Sequence, residues 1–217
     1  MVRIRIMMVL LLSLSLIGCA YPPLGNDFEL PEDYTYKIGP GDSLEIFVWD
    51  NPDISRGVTV RPDGKINTPL LDDLIASGKT PSQLARILEE KLAKFIREPL
   101  VAVMVGGFEG VYEQQVRVIG QIGSNGGGYG GGSGGNYAAG SAMAFPYKKG
   151  MTLLDLMVDV GTFSEFADVD RVSIIRKIDG EAYQFGVRIY DLVDYGDLTA
   201  NVKIMPGDIM VVPEDFF

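Results

Sequence analysis

Histidine is absent from this 217-residue chain. That removes the side chain most often used as a general base near neutral pH, and the commonest transition-metal ligand. Cysteine occurs once, at position 19, so the chain has no partner for an internal disulfide and no multi-thiolate metal site. Beyond residue 17 no apolar run approaches the roughly 20 residues that a membrane-spanning helix needs. Positive charge is scarce too, with 19 lysines and arginines against 29 acids and a formal net charge of -10. A balance of that sign repels nucleic acid and anionic lipid. Stability must therefore come from packing, and the composition points away from enzymatic chemistry.

The lone cysteine sits in an address-like segment. Arg3 and Arg5 precede an apolar stretch from Ile6 to Ile17, broken only by Ser13 and Ser15, and Gly18 offers a small residue at a cleavage point. The order Leu16-Ile17-Gly18-Cys19 resembles the lipobox of bacterial lipoproteins, in which the cysteine is lipidated and becomes the mature N-terminus. Several acyl chains hold a protein at a bilayer where a single chain binds only marginally. Ala20 stands where an aspartate would suggest inner-membrane retention, so the resemblance implies the outer membrane of a Gram-negative cell, with the body in the periplasm. Loss of Arg3 and Arg5 with the leader takes the formal net charge from -10 to about -12.

After Cys19, "NDFELPEDYTY" is acidic, proline-bearing and aperiodic, which reads as a tether. In "YKIGPGDSLEIFVW", Pro40, Gly41 and Asp42 suit a tight turn, and Leu44, Ile46 and Val48 then alternate with Glu45, Phe47 and Trp49 at the period of a strand. "VTVRPDGKINTPLL" reads as a hairpin about Asp63-Gly64. Thr80, Pro81 and Gln83 form a helix-start pattern, with Leu84, Ile87, Leu88, Leu92 and Phe95 on one face. Glu89, Glu90, Lys91 and Lys94 read as its solvated side, and Pro99 as its end, before the strand "LVAVMV".

A second unit opens with the strand "QVRVIGQI". There follows "GSNGGGYGGGSGGNYAAG", in which ten of eighteen positions are glycine, a composition with little to bury. Its Tyr129 and Tyr137 are candidates for stacking on sugar rings or seating against a partner, the alternative being a solvated insertion. Thr152 with Asp155 repeats the helix-start logic before Leu153, Leu156, Met157 and Val160, and Gly161 stops the helix. A hairpin is expected about Asp179-Gly180. Near the end, Lys203-Ile204-Met205-Pro206-Gly207-Asp208 echoes Lys37-Ile38-Gly39-Pro40-Gly41-Asp42, weak evidence of duplication because proline and glycine recur in turns for local reasons. Asp155 and Asp159, at i and i+4, offer a carboxylate pair for glycoside hydrolysis, but that spacing is equally that of a wet helix edge. Gly39-Pro40-Gly41-Asp42 lacks the lysine and following helix of a phosphate-binding loop.

Residues 35–108, from "YKIGPGDSLEIFVWDNPDISRGVTVRPDGKINTPLL" through "LVAVMV", resemble the polysaccharide export domain of outer-membrane capsule and exopolysaccharide exporters of the Wza type. Residues 113–214 resemble the soluble-ligand-binding (SLBB) β-grasp domain that follows it in those proteins, with the glycine-rich insertion at 123–142 in place of a brief turn. In detail, including "VPEDFF", the chain is most similar to exporters encoded beside exosortase (PEP-CTERM) systems. The implied organisation is a signal peptide at 1–18, a lipidated tether at 19–34 and two small mixed α+β domains, without the C-terminal transmembrane helix of the long family members.

The resemblance implies a homo-oligomeric periplasmic ring, without enzymatic activity, metal or cofactor, that passes polysaccharide outward from an inner-membrane co-polymerase. A separate outer-membrane β-barrel would complete the passage; an adaptor ring alone is the alternative. Pro40, Gly41, Asp42, Arg61, Pro62, Asp63, Gly64, Pro206, Gly207 and Asp208 carry the family motifs and are expected to shape turns and ring contacts. Rival readings are a monomeric carbohydrate- or peptidoglycan-binding lipoprotein and a polysaccharide-modifying enzyme. If Cys19 is the anchor, Cys19→Ser moves the protein from the membrane to the soluble fraction and lowers the surface glycan; unchanged fractionation contradicts the anchor.

Overall fold

The computed structural model describes residues 21–123, 141–161 and 163–215. Buried apolar side chains gather in two clusters, an N-terminal one from Ile38 to Val101 and a C-terminal one from Val116 to Val212 that also takes in Leu24.

The N-terminal core is built on a three-stranded antiparallel sheet in the order β2-β1-β5, with β1 at Ser43–Val48, β2 at Arg56–Thr59 and β5 at Val101–Gly107. The alternation in β1 is realised as read: Leu44, Ile46 and Val48 are buried, while Phe47 and Trp49 face out. Helix α1 (Pro81–Leu92) packs on β5 and carries the expected capping box, Thr80 Oγ1 accepting from Gln83 N and Gln83 Oε1 from Thr80 N.

Three expectations in this core need correction. The segments either side of Asp63-Gly64 pair only at the turn, where Arg61 N donates to Lys65 O at 2.9 Å, and do not continue as a hairpin: β2 is taken by β1, and β3 (Lys65–Thr68) pairs with β4 (Leu71–Ile75). The turn itself forms, with Gly64 N donating to Arg61 O at 2.8 Å, but its two arms enter different sheets. Helix α1 stops at Leu92, not at Pro99, which leaves Phe95 58% exposed beyond the buried face. Its last turns are tied to the return strand, since Glu89 Oε1 accepts from Val101 N at 2.9 Å and pairs with Arg86, so Pro99 lies in the return loop. Glu89 is thus a structural contact and not part of a wet face.

The C-terminal core rests on a five-stranded sheet in the order β7-β6-β10-β8-β9. Its strands are β6 (Gln115–Gly120), β7 (Ser141–Pro146), β8 (Ser173–Ile178), β9 (Glu181–Gly186) and β10 (Ile209–Val212). Central β6 and β10 run parallel, and every other pair is antiparallel. Helix α2 (Leu153–Val160) falls between β7 and β8 in the chain and buries Leu153, Leu156 and Val160. The Thr152–Asp155 capping box and the Gly161 stop, at φ 86°, are as read. Asp179 (φ 52°) and Gly180 (φ 88°) close the β8–β9 hairpin in the left-handed conformations that a two-residue hairpin turn requires. A short helix α3 (Ile189–Val193) follows. No helix among the described residues is long and apolar enough to cross a membrane.

The tether reading also needs correction. Tyr21–Phe28 lies docked along the C-terminal core. Pro23 bridges to Gly186, Leu24 is 6% exposed within the core cluster, Asn26 Oδ1 accepts from Lys203 N at 2.9 Å, and Phe28 meets Phe185 edge-to-face at 5.9 Å. Isolated apolar anchors on an irregular segment carry no period, so their burial leaves no pattern to read.

The β6–β10 pairing sets a sharp steric limit. At Gly120, φ 118°, an added Cβ would stand 1.8 Å from the Val212 carbonyl oxygen, whereas at Gly180 it would meet nothing within 4 Å. Gly120→Ala should therefore cost about 3 kcal/mol or more from strain and overpacking together, and Gly180→Ala about 1 kcal/mol. Denaturant midpoints of the two variants check the ranking.

Candidate functional site

Two proline-glycine-aspartate turns sit at the junction between the cores. In the first, Asp42 N donates to Gly39 O across Pro40 and Gly41, with Gly41 at φ 95°. In the second, Asp208 N donates to Met205 O across Pro206 and Gly207, with Gly207 at φ 88°. Proline presets the second position of each turn and glycine supplies the positive φ at the third, the requirements of a type II turn. Each aspartate also folds back on its own turn: Asp42 Oδ2 accepts from Gly39 N at 2.9 Å and Asp208 Oδ2 from Met205 N at 2.8 Å. The echo between positions 37–42 and 203–208 is thus one hydrogen-bonded device built twice, each copy leading into a strand.

The carboxylates are buried, at 0% and 1% exposure, and differ in their remaining partners. Asp42 Oδ1 accepts from Glu109 N at 2.7 Å and Gly110 N at 2.9 Å, the backbone that leaves the N-terminal core, and its Oδ2 takes the Tyr36 hydroxyl at 2.6 Å. Burial, then the bond to Asp42, pushes the Tyr36 phenol far above its ordinary range, which keeps it a donor. Asp208 instead receives a two-pronged contact from Arg176, Nε to Oδ1 at 2.9 Å and Nη2 to Oδ2 at 2.6 Å. Burial pushes the Asp208 carboxyl up while Arg176 opposes the shift. Phe28, from the docked N-terminal segment, lies 4.7 Å from the Arg176 guanidinium, a cation–π contact.

The linker after β5 is gripped from several sides. Gly39 has no room for a side chain, since a Cβ there would stand 1.8 Å from Gly110 O. Gln114 reads the backbone on the other side, Oε1 accepting from Lys37 N and Nε2 donating to Thr35 O, both at 2.8 Å. Gly207 N donates to Gln115 O and Arg117 N to Asp208 O. Tyr34 and Tyr147 meet edge-to-face at 5.6 Å. Polar contacts of defined direction thus join one core to the other.

Arg61, Pro62, Asp63 and Gly64 are brought next to the first turn, because Val60 exchanges hydrogen bonds with Asp42 O and Gly41 N at 2.9 Å each. Gly64 (φ 76°) presents its carbonyl to Ala76 N and Ser77 N, while Arg61 pairs with Asp63 and Asp73 at 2.7 Å on an exposed surface. Exposed pairs of this kind add little stability. Cys19, Tyr129 and Tyr137 lie outside the described residues.

The candidate carboxylate pair is otherwise engaged. Asp155 caps its helix, its carboxyl held below the ordinary range by the Thr152 hydroxyl, and Asp159 pairs with Lys148 at 2.8 Å. These two line an open cleft of about 330 Å³ beside α2, and a second, of about 200 Å³, lies between β4 and Lys91, Lys94 and Phe95. Among the described residues no cluster of three or more acids, histidines or cysteines is placed to hold a metal.

Tyr36, Gln114 and Arg176 are junction residues that sequence reasoning passed over. Arg176 had a legible signal: it shares its sheet face with Ile174, so a charge stands at a core-facing position of β8 and demands a buried partner. Gln114 gave none, because its partners are backbone groups far away in sequence, and Tyr36 gave none although its partner Asp42 is only six positions on, because nothing local marks that carboxylate as buried.

Residues 30–106 match the family model described as polysaccharide biosynthesis/export protein. The match spans the N-terminal core with the turns at Pro40-Gly41-Asp42 and Arg61-Pro62-Asp63-Gly64, and it supports a role in polysaccharide export.

Removing the Asp42 carboxylate would orphan three backbone N–H groups and the Tyr36 hydroxyl. At about 1–3 kcal/mol for each buried donor left unpaired, Asp42→Ala should cost at least about 3 kcal/mol. The exposed Glu90→Ala should change stability by no more than about 0.5 kcal/mol. Thermal and denaturant unfolding of the two variants test the contrast.

Proposed function

We propose that this chain is a lipid-anchored outer-membrane subunit of a polysaccharide export conduit, its body in the periplasm and assembled with other copies into a ring. The match over residues 30–106 carries the export reading. The C-terminal core supports the two-domain form of it: a five-stranded sheet with parallel central strands and one helix between its second and third strands is the arrangement expected of a β-grasp domain. The pinned junction fits a ring subunit, because copies can repeat a closed contact only if the parts of each copy hold a constant relation.

In this reading the protein does no chemistry on the polymer. A conduit for a hydrated glycan needs weak and repeated contacts along a polar wall, since tight binding at one point would stall transport. Acidic side chains at a net charge of about -12 after leader removal either discourage an anionic polymer from adhering or serve solubility alone. The co-polymerase of the inner membrane delivers the polymer, and a separate outer-membrane β-barrel completes its exit.

Mass measurement on the detergent-extracted full chain, paired with complementation of a deletion strain, tests the proposal. A discrete large oligomer and restored surface polysaccharide are expected. A monomer that binds glycan without restoring export would instead favour a carbohydrate- or peptidoglycan-binding lipoprotein.

A further inference from the structure

Two sheet faces are left open, one on each core. On the three-stranded sheet the outward positions are Glu45, Phe47 and Trp49 from β1 and its extension, Ala102 and Met104 from β5, and Leu100 just before it. Phe47, Trp49, Leu100 and Met104 are 43%, 66%, 62% and 52% exposed, and Phe47 and Trp49 stack edge-to-face at 6.2 Å. A contiguous group of large apolar side chains on open strands marks an interaction surface, and aromatic residues and methionine are the types enriched at protein interfaces.

The second face lies on the five-stranded sheet, opposite the buried side chains. Register places Ala144, Arg117, Ile209 and Ile175 in one row and Ala142, Ile119 and Val211 in the next, which ends at the buried Ser173, whose hydroxyl accepts from Gln184 Nε2. None of these is acidic, in a chain with 29 acids. The only charge in the two rows is Arg117, whose Nε is buried without a hydrogen-bond partner, and Ile119 is 40% exposed.

We infer that the open face of the three-stranded sheet docks on the open face of the five-stranded sheet of a second copy, with Glu45 of one meeting Arg117 of the other. Charge decides the pairing. Acidic copies repel at long range, so their contact must be apolar and locally matched in charge. Stacking like faces would bring together charges of one sign only, Glu45 with its copy's Glu45 or Arg117 with its copy's Arg117, and neither would meet an opposite charge. Only the unlike pairing brings opposite charges together, Glu45 beside the partly exposed Arg117. Such a contact is heterologous: every copy keeps one free face of each kind, and the assembly grows until it closes. The inference rests on the ring reading and names the surfaces that would build it.

Cross-linking in membranes separates the outcomes. Met104→Cys and Ile119→Cys, placed beside Glu45 and Arg117, are made singly and together in the full chain, with the parent chain, whose only cysteine is Cys19, as control. A short bismaleimide should join the double variant into a ladder extending beyond the dimer, and leave each single variant at the level of the parent. Single variants that dimerise as strongly as the double variant would overturn the unlike pairing. A large oligomer by sedimentation with no ladder would overturn these faces and leave the ring standing, whereas a monomer would remove both. As a second readout, Glu45→Arg should shift the oligomer toward monomer by at least about tenfold in dissociation constant, and Glu45→Arg with Arg117→Glu should recover it; failure of that recovery while Glu45→Arg is disruptive also counts against the pairing.

Discussion

A buried carboxylate must be surrounded by donors, and Asp42 finds its donors in three places: its own turn, the Tyr36 hydroxyl and the backbone that leaves the N-terminal core. Because the last of these belongs to the linker, the turn cannot be satisfied unless the linker is in place. The same device recurs at Asp208, where Arg176 replaces the linker amides and the docked N-terminal segment lays Phe28 over the guanidinium. Removing one partner from such an arrangement leaves a buried charge or amide uncompensated, which costs more than the net worth of the intact contact. The junction is therefore a set of mutually dependent polar contacts, and the two cores are joined by direction-specific bonds as well as by chain.

That architecture commits its carboxylates to structure. The residues that look most chemical in the sequence, the aspartates of the motif turns and the Asp155–Asp159 pair, are committed to turns, a helix cap and an ion pair. Among the described residues the surface carries charge, the clefts beside α2 and β4, and the two apolar sheet faces. In the proposed conduit, constant geometry between repeated copies would begin with constant geometry within each copy.

Local patterns were the legible part. The period of β1, the capping boxes at Thr80 and Thr152, the Gly161 stop and the Asp179-Gly180 hairpin all depend on residues within a few positions of one another, and each appears where it was read. The errors share a cause. Whether β3 pairs with β2 or β4, whether α1 runs on toward Pro99, and whether Leu24 and Phe28 hang free or dock are decided by partners distant in the chain. The motif turns show both sides. That Pro40-Gly41-Asp42 and Pro206-Gly207-Asp208 would be turns could be read, but not that their aspartates face inward to hold a junction.

The sequence by itself determined the absence of histidine chemistry, the acidic balance, the lipobox-like segment and the kind of the elements with strong local patterns, such as β1, the two capped helices and the β8–β9 hairpin, because composition and short-range stereochemistry need no knowledge of the fold. The tertiary structure alone decided which donors surround Asp42 and Asp208, how the N-terminal segment packs and which sheet faces stay open. Those outcomes depend on groups brought within 3 Å of each other from up to 177 positions apart, as Asn26 and Lys203 are, and no local pattern records such a meeting.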